Sequence, residues 1–351
     1  MIQVGKKVKS PETWQLGEKV IKNTTVYKYL GDEITNDGKN DKNIISRENK
    51  LNAIIRQINT SASSDVMRGI QTHVILKLYD VRIIPCLLNN AESWTLTLND
   101  EKRFDQIGIR AIKRLFGLPT TSPNVAVVYT FGLLYMTQLI DQKRLLFLHK
   151  VLTRNQDKWI LRTMNRLDDR NIGWTENIKK KLREYVLEQD WNVIKQKTVN
   201  EWRNNVKMAV LKKNGEKLLE NCQTMGDDGL KIHTKTRHIY EALSSEVYKA
   251  EPKKMIIEGN KQRTRTIFMS QNGMLECGKN MRGTIPEKCP QCDILDDENH
   301  RLNYCPKWRN TSHGNIDFKD IYCSDSEKLD QIIYEIENVW ELKYANGRMK
   351  K

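Results

Sequence analysis

The sequence predicts a mainly α-helical chain with a small N-terminal β-hairpin and a small cysteine-bearing C-terminal domain, and three observations carry that prediction. Apolar residues recur at helical spacing, as Leu51, Ile54, Ile55 and Ile58 do at i, i+3, i+4 and i+7. Partial strand-like alternation runs from Val26 to Ile34, with the turn residues Asn36-Asp37-Gly38 after it. Near the C-terminal end, Cys289-Pro290-Gln291-Cys292 precedes His300 by seven residues, and Cys305 follows after four more. The helical content exceeds that of an α/β sheet protein.

Taken in order, Val26 to Ile34 reads as a strand, a bend at Gly31 and a return strand. The Leu51 helix follows, with Arg47, Lys50 and Arg56 largely off its apolar stripe. Val74, Leu78 and Val81 mark a second helix, which Pro85 is expected to terminate. A third is expected after Asn99, with Gly117 in the C-terminal cap position. Ser122-Pro123 reads as an N-cap with proline at the first helical position. Leu139, Leu146 and Leu152 belong to a long buried helix, edged by Lys143, Lys150 and Arg154. Thr198 and Glu201 form a capping box ahead of Trp202, Val206 and Val210. Gly226 to Gly229 is expected to be a loop. Ser324 and Glu327 form a second capping box, ahead of Leu329, Ile332, Ile333, Ile336, Val339 and Trp340.

Three thiolates and one imidazole at the spacing of Cys289, Cys292, His300 and Cys305 make a closed tetrahedral set that suits one structural Zn²⁺. Pro290 favours the tight turn such a set needs. Cys277 is a rival ligand of lower rank. Lys288, Arg301, Lys307 and Arg309 surround the motif, with Tyr304 and Trp308 interleaved, a mixture suited to phosphates and unstacked bases.

The formal charge is +15, which raises affinity for nucleic acid or an anionic membrane. No apolar run approaches about 18 residues and the N-terminus lacks a hydrophobic signal region, so neither a membrane span nor secretion is expected, and no membrane is counted among the partners. Seven irregularly spaced cysteines fit a reducing compartment better than a disulfide scaffold. Cys86, Cys222, Cys277 and Cys323 read as ordinary thiols. Between Gln142 and Lys217, 19 Lys and Arg stand against 9 Asp and Glu, an excess of 10 that includes the run Lys179, Lys180 and Lys181. Such a run is either a solvated helix face or an electrostatic footprint for nucleic acid.

Tyr27-Lys28-Tyr29-Leu30-Gly31-Asp32-Glu33-Ile34-Thr35, followed by Asp37-Gly38, resembles the primer-grip hairpin of LINE-type, non-LTR retrotransposon reverse transcriptases. Leu76-Lys77-Leu78-Tyr79 with Pro85, and then Ala91-Glu92-Ser93-Trp94-Thr95-Leu96-Thr97, is similar to their thumb. Arg110, Lys113 and Arg114 before Leu115-Phe116-Gly117 match the basic end of that family's next helix. The zinc spacing, with Glu298-Asn299-His300 and Cys305-Pro306, is similar to its C-terminal Cys-Cys-His-Cys knuckle. Together the matches span roughly residues 26–155 and 263–310.

The resemblance implies a palm-edge segment over 1–41, a thumb-like helical domain over 42–155 and a basic helical connector over 156–225. A linker and helix over 226–276 and the knuckle with its C-terminal helix over 277–351 complete the expected order. It implies an RNA template and a DNA primer or target as partners, with Tyr29, Leu30 and Gly31 placing the primer end and Lys28 among the nucleic-acid-binding residues. Arg47, Lys50, Arg56, Arg110, Lys113, Arg114, Arg263 and Arg265 would join the basic residues already named in holding the duplex. A full-length relative would add palm, fingers and endonuclease domains, and Mg²⁺ on palm aspartates. This chain carries no such palm motif, and Asp168-Asp169 and Asp296-Asp297 read as surface acids, so no polymerase activity is expected of it alone. A nuclear protein with a cytoplasmic ribonucleoprotein stage is the matching location. Two other readings stay open, a stand-alone zinc-dependent nucleic-acid-binding protein derived from a retroelement and a helical interaction scaffold.

Overall fold

The N-terminal hairpin forms where the alternation placed it. Strands β3 (Val26–Tyr29) and β4 (Asp32–Thr35) pair antiparallel, Tyr29 opposite Asp32, across the two-residue turn Leu30-Gly31. Both turn residues have positive φ, 47° and 96°, the combination that matches the right-handed twist of paired strands. A shorter hairpin of β1 (Trp14–Leu16) and β2 (Lys19–Ile21) precedes it. The computed structural model describes residues 14–21, 24–61, 69–154, 158–226, 229–232, 236–245, 248–252, 254–275, 286–306, 321 and 326–347.

Helices dominate the rest. Helix α1 is Asp41–Thr60, and α2 (Thr72–Leu78) runs through a π turn at Tyr79–Ile83 into α3 (Ile84–Leu88). Pro85 therefore does not end the helix. The ladder has already shifted to i→i+5 spacing, with the Ile84 N–H donating to the Tyr79 carbonyl, so the missing proline N–H falls at the start of a new α segment. The buried side of this segment is Ile75, Leu76, Tyr79 and Ile83, while Val74 and Val81 face outward, a rotation of the expected stripe.

Helix α4 (Leu98–Phe116) starts at a reciprocal capping box of Thr97 and Asp100 and ends at Gly117, whose φ of 64° serves the left-handed cap. Helix α5 (Asn124–Thr130) begins one residue later than expected, with Pro123 in the cap position and no side-chain cap. Helix α6 (Met136–Thr153) is the long buried one, followed by α7 (Lys158–Asp169), α8 (Gly173–Glu184) and α9 (Trp191–Gln196). Thr198 and Glu201 cap α10 (Val199–Asn221) reciprocally, as their spacing predicts.

Where a loop is expected from Gly226 to Gly229, these two glycines pair at the ends of strands β5 (Gln223–Gly226) and β6 (Gly229–Ile232), and the two residues between them lie outside the described residues. Helices α11 (Arg237–Ser245), α12 (Lys254–Ile257), α13 (Lys261–Gln271) and α14 (Ser326–Gly347) follow, with a second π turn at His300–Tyr304. Ser324 lies outside the described residues, but Leu329, Ile332, Ile333, Ile336 and Val339 are buried as expected.

Two apolar cores organise these elements. The larger unites residues 44–140 with 218–339, so α1 to α5 share it with α13, α14 and Leu302 of the knuckle. The smaller lies between Leu145 and Val210 and is built from the second half of α6, α7 to α9 and the first half of α10. Helix α6 thus serves both cores and joins the 42–155 and 156–225 segments. Packing residues of opposite ends of the chain into one core is also seen in the 2.6 Å contact of the buried Thr72 and Thr264 hydroxyls.

Candidate metal centre and nucleic-acid surface

A tight loop supplies the first two ligands. The Cys289 N–H donates to the Ile294 carbonyl at 2.8 Å, the Asp293 N–H returns to the Cys289 carbonyl at 2.8 Å, and Lys288 pairs with Leu295 across the loop. That closure turns the thiols of Cys289 and Cys292 to one side. His300 and Cys305 are five residues apart, which on an α-helix leaves the second about 140° around from the first. The π turn cancels much of this offset. Its closing bond runs from the Cys305 N–H to the His300 carbonyl at 2.8 Å, and both ligands meet the thiol pair.

Sγ of Cys305 lies 3.7 Å from Sγ of Cys289 and 3.9 Å from Sγ of Cys292, and all four donor atoms lie within 4.8 Å of one another. The cluster can hold a metal ion. Cys289, His300 and Cys305 are buried, and both ring nitrogens of His300 are buried without a hydrogen-bond partner. A buried imidazole with neither nitrogen satisfied is costly unless one of them coordinates a cation. Burial pushes the Cys289 thiol up, but the adjacent His300 imidazole, the N–H groups of Gln291 and Cys292 and the Cys305 thiol outweigh it, holding the group down at about 7.

Two acids support this turn. The Asp297 carboxylate accepts the His300 N–H at 2.8 Å. The Arg301 Nε donates to the Asp296 carboxylate at 2.6 Å, in a two-pronged pair with both side chains almost fully buried. Asp296 is therefore not a surface acid, and Arg301 is a brace of the knuckle rather than a free cation.

Three other cations expected at a nucleic-acid surface are also interior. Arg47 is 3 % exposed, ion-paired with Asp32, and donates to the carbonyls of Cys86, Leu87 and Asn89. The Lys113 ammonium reaches the Thr120 and Ser122 carbonyls and Asn124 Oδ1, closing the loop after α4, and burial pushes it down. Lys181 sits among Asp141 at 2.9 Å, Glu101 at 3.2 Å and Glu184 at 3.2 Å. For Arg47 and Lys181 a carboxylate from another segment claims the charge, and for Lys113 the carbonyls of the loop after α4 do, which the spacing of the cations does not reveal.

The remaining candidates face solvent to different degrees. Lys28, Tyr29 and Leu30 are exposed on the hairpin, with Gly31 at its turn. Lys50 and Arg56 are exposed on α1, and Arg110 and Arg114 lie at its seam with α4, bonded to Glu48 and Asn52. Lys179 pairs with Asp168, and Lys180 is exposed. Arg263 pairs with Asp330, and Arg265 donates to the Gly117 carbonyl at 3.0 Å. Lys288 and Tyr304 are exposed on the knuckle, whereas Lys307, Trp308 and Arg309 lie outside the described residues, as do Cys277 and Cys323. Sequence reasoning missed Trp159, 78 % exposed on α7 and followed by arginines at helical spacing, a signal readable in the sequence.

Among the described residues no helix is long and apolar enough to cross a membrane. The chain matches no protein-family model, no curated protein and no solved structure.

Proposed function

We propose that this chain is a nucleic-acid-binding module without polymerase activity of its own, braced by one structural Zn²⁺ and corresponding to the thumb-to-knuckle part of a LINE-type reverse transcriptase. The buried, unsatisfied His300 imidazole closing a three-thiol set is the observation that carries the reading. Zinc suits the set chemically. A tetrahedron with Zn–S bonds of about 2.3 Å has sulfur–sulfur edges of about 3.8 Å, and the sulfurs here stand 3.7 and 3.9 Å apart. With four protein donors no position is left for a substrate water, so the ion would staple the knuckle rather than catalyse.

The nucleic-acid part rests on the charge of +15, the exposed cations of α1, α4 and α8, and the exposed Lys288 and Tyr304 of the knuckle. An RNA template paired with a DNA primer or target is the partner the family resemblance suggests, and Mg²⁺ would enter only with a palm in a full-length polymerase.

Binding of labelled RNA, DNA and RNA–DNA duplex, followed by anisotropy across a salt series, tests the proposal. If about six to eight phosphates are neutralised, log K falls with log salt at a slope of roughly −4 to −7. A slope near zero overturns the nucleic-acid reading and favours the interaction scaffold. Primer extension that depends on this chain would overturn the non-catalytic half.

A further inference from the structure

Helix α7 has one face in the smaller core and one in water. Met164 is buried and Leu161 packs beside it, while Trp159 is 78 % exposed and Arg162, Thr163, Arg166 and Arg170 are exposed. These outward residues fall at i, i+3, i+4, i+7 and i+11, so they form one continuous stripe along the helix and just past its end. The Arg162 guanidinium stands 5.4 Å from the Trp159 ring centroid. No carboxylate of the described residues pairs with Arg162, Arg166 or Arg170, and the nearby Asp168 is taken by Lys179.

That same Lys179 stands 5.7 Å from the centroid of the Trp191 ring, but Trp191 packs against the smaller core, so Trp159 is the indole that faces outward on this side. An exposed indole is usually incidental. Here it opens a row of unpaired arginines, and the combination of a π face with a line of cations is what an unpaired base and its phosphates require.

We propose that the outward stripe of α7 is a binding site for single-stranded nucleic acid, in which a base stacks on Trp159 and the phosphates follow Arg162, Arg166 and Arg170. The site is separate from the knuckle and from the hairpin, and the inference deepens the nucleic-acid reading above and rests on it. A duplex hides its base faces, so this stripe would hold a single-stranded stretch beside a paired one.

The test uses the full chain with four probes, namely oligouridylate, oligothymidylate, an RNA–DNA duplex and phosphatidylserine vesicles. Trp159→Ala is expected to weaken both single strands by roughly 5- to 150-fold with little change of salt slope, while duplex affinity stays within about twofold. Trp159→Phe should retain most of the affinity, and because the indole is exposed the fold is kept, which circular dichroism checks. Arg166→Gln should flatten the single-strand slope by about 0.7. Wild-type binding to the single strands that Trp159→Ala leaves within twofold overturns this site and leaves the broader nucleic-acid reading intact. Wild-type failure to bind any nucleic-acid probe overturns both. Vesicle binding that Trp159→Ala abolishes while RNA binding survives reassigns the stripe to a membrane surface.

Discussion

The Arg47 guanidinium lies 4.5 Å from the centroid of the Trp94 ring, so a residue of the first helix is held under the segment that leads into α4. Its other side meets the Asp32 carboxylate and three carbonyls at the end of α3, which ties the N-terminal hairpin to the helical core. Arg47→Met removes one partner of a buried charge pair and leaves those acceptors unsatisfied. A loss of about 3 kcal/mol is expected, read as a lower urea midpoint. An unchanged midpoint, with weaker RNA binding instead, would return Arg47 to the contact surface.

Lys181 offers a pH signature. Burial pushes its ammonium down, but the carboxylates of Asp141, Glu101 and Glu184 together raise it above the ordinary lysine value of 10.5. A raised lysine stabilises the fold fully below the unfolded value and loses that contribution as pH climbs through the folded one. Lys181→Met is therefore expected to cost about 2–3 kcal/mol, constant from neutral pH upward until roughly the unfolded lysine value and narrowing only above it. A difference that shrank between pH 7 and 9 would contradict the assigned ion-pair cluster.

Helix α8 ends in a Schellman arrangement, with the Val186 N–H on the Arg183 carbonyl and the Leu187 N–H on the Leu182 carbonyl. Gly117 and Asn171 fill the equivalent place after α4 and α7, but here a β-branched residue holds φ at 53° and is 86 % exposed. Such a side chain strains the left-handed backbone without packing to offset it. Val186→Asn should stabilise the chain by about 0.5–1 kcal/mol, measured as a higher thermal midpoint. A fall would show that Val186 makes contacts in solution that its exposure conceals.

Metal content checks the knuckle directly. Wild type is expected to carry one zinc per chain and Cys292→Ser much less, with chelation lowering the thermal midpoint because the His300–Tyr304 turn packs on α14. Asp297→Ala should retain the metal but lose about 1 kcal/mol, as a broken cap on the His300 N–H would. Equal metal in wild type and Cys292→Ser would remove the ligand assignment.

How much of this was legible in the sequence depends on how local the determining interaction is. The β3–β4 hairpin, the Gly117 cap and the Thr198–Glu201 box are set by residues within a few positions of one another, and spacing sufficed for them. The four knuckle ligands span only 289–305 and were equally readable. Exposure was not, because Arg47 and Lys181 look like any surface cation until the fold brings Asp32 and Asp141 from other segments against them, while the nearby partners of Lys113 and Arg301 show only once the backbone turns them inward. Pro85 misled for a related reason, since a π turn upstream absorbs the lost donor and only the backbone shows it.

The way helix α6 feeds two cores sets an order of events during synthesis. The smaller core is drawn from one uninterrupted stretch between Leu145 and Val210, and every contact it needs has left the ribosome before α13 or α14 is made. Helices α1 to α4 are made before the smaller core, yet the core they share is completed only when Phe268, Ile332 and Ile336 arrive. The larger core is therefore closed only after the smaller one, and until then part of its apolar surface stays open to water.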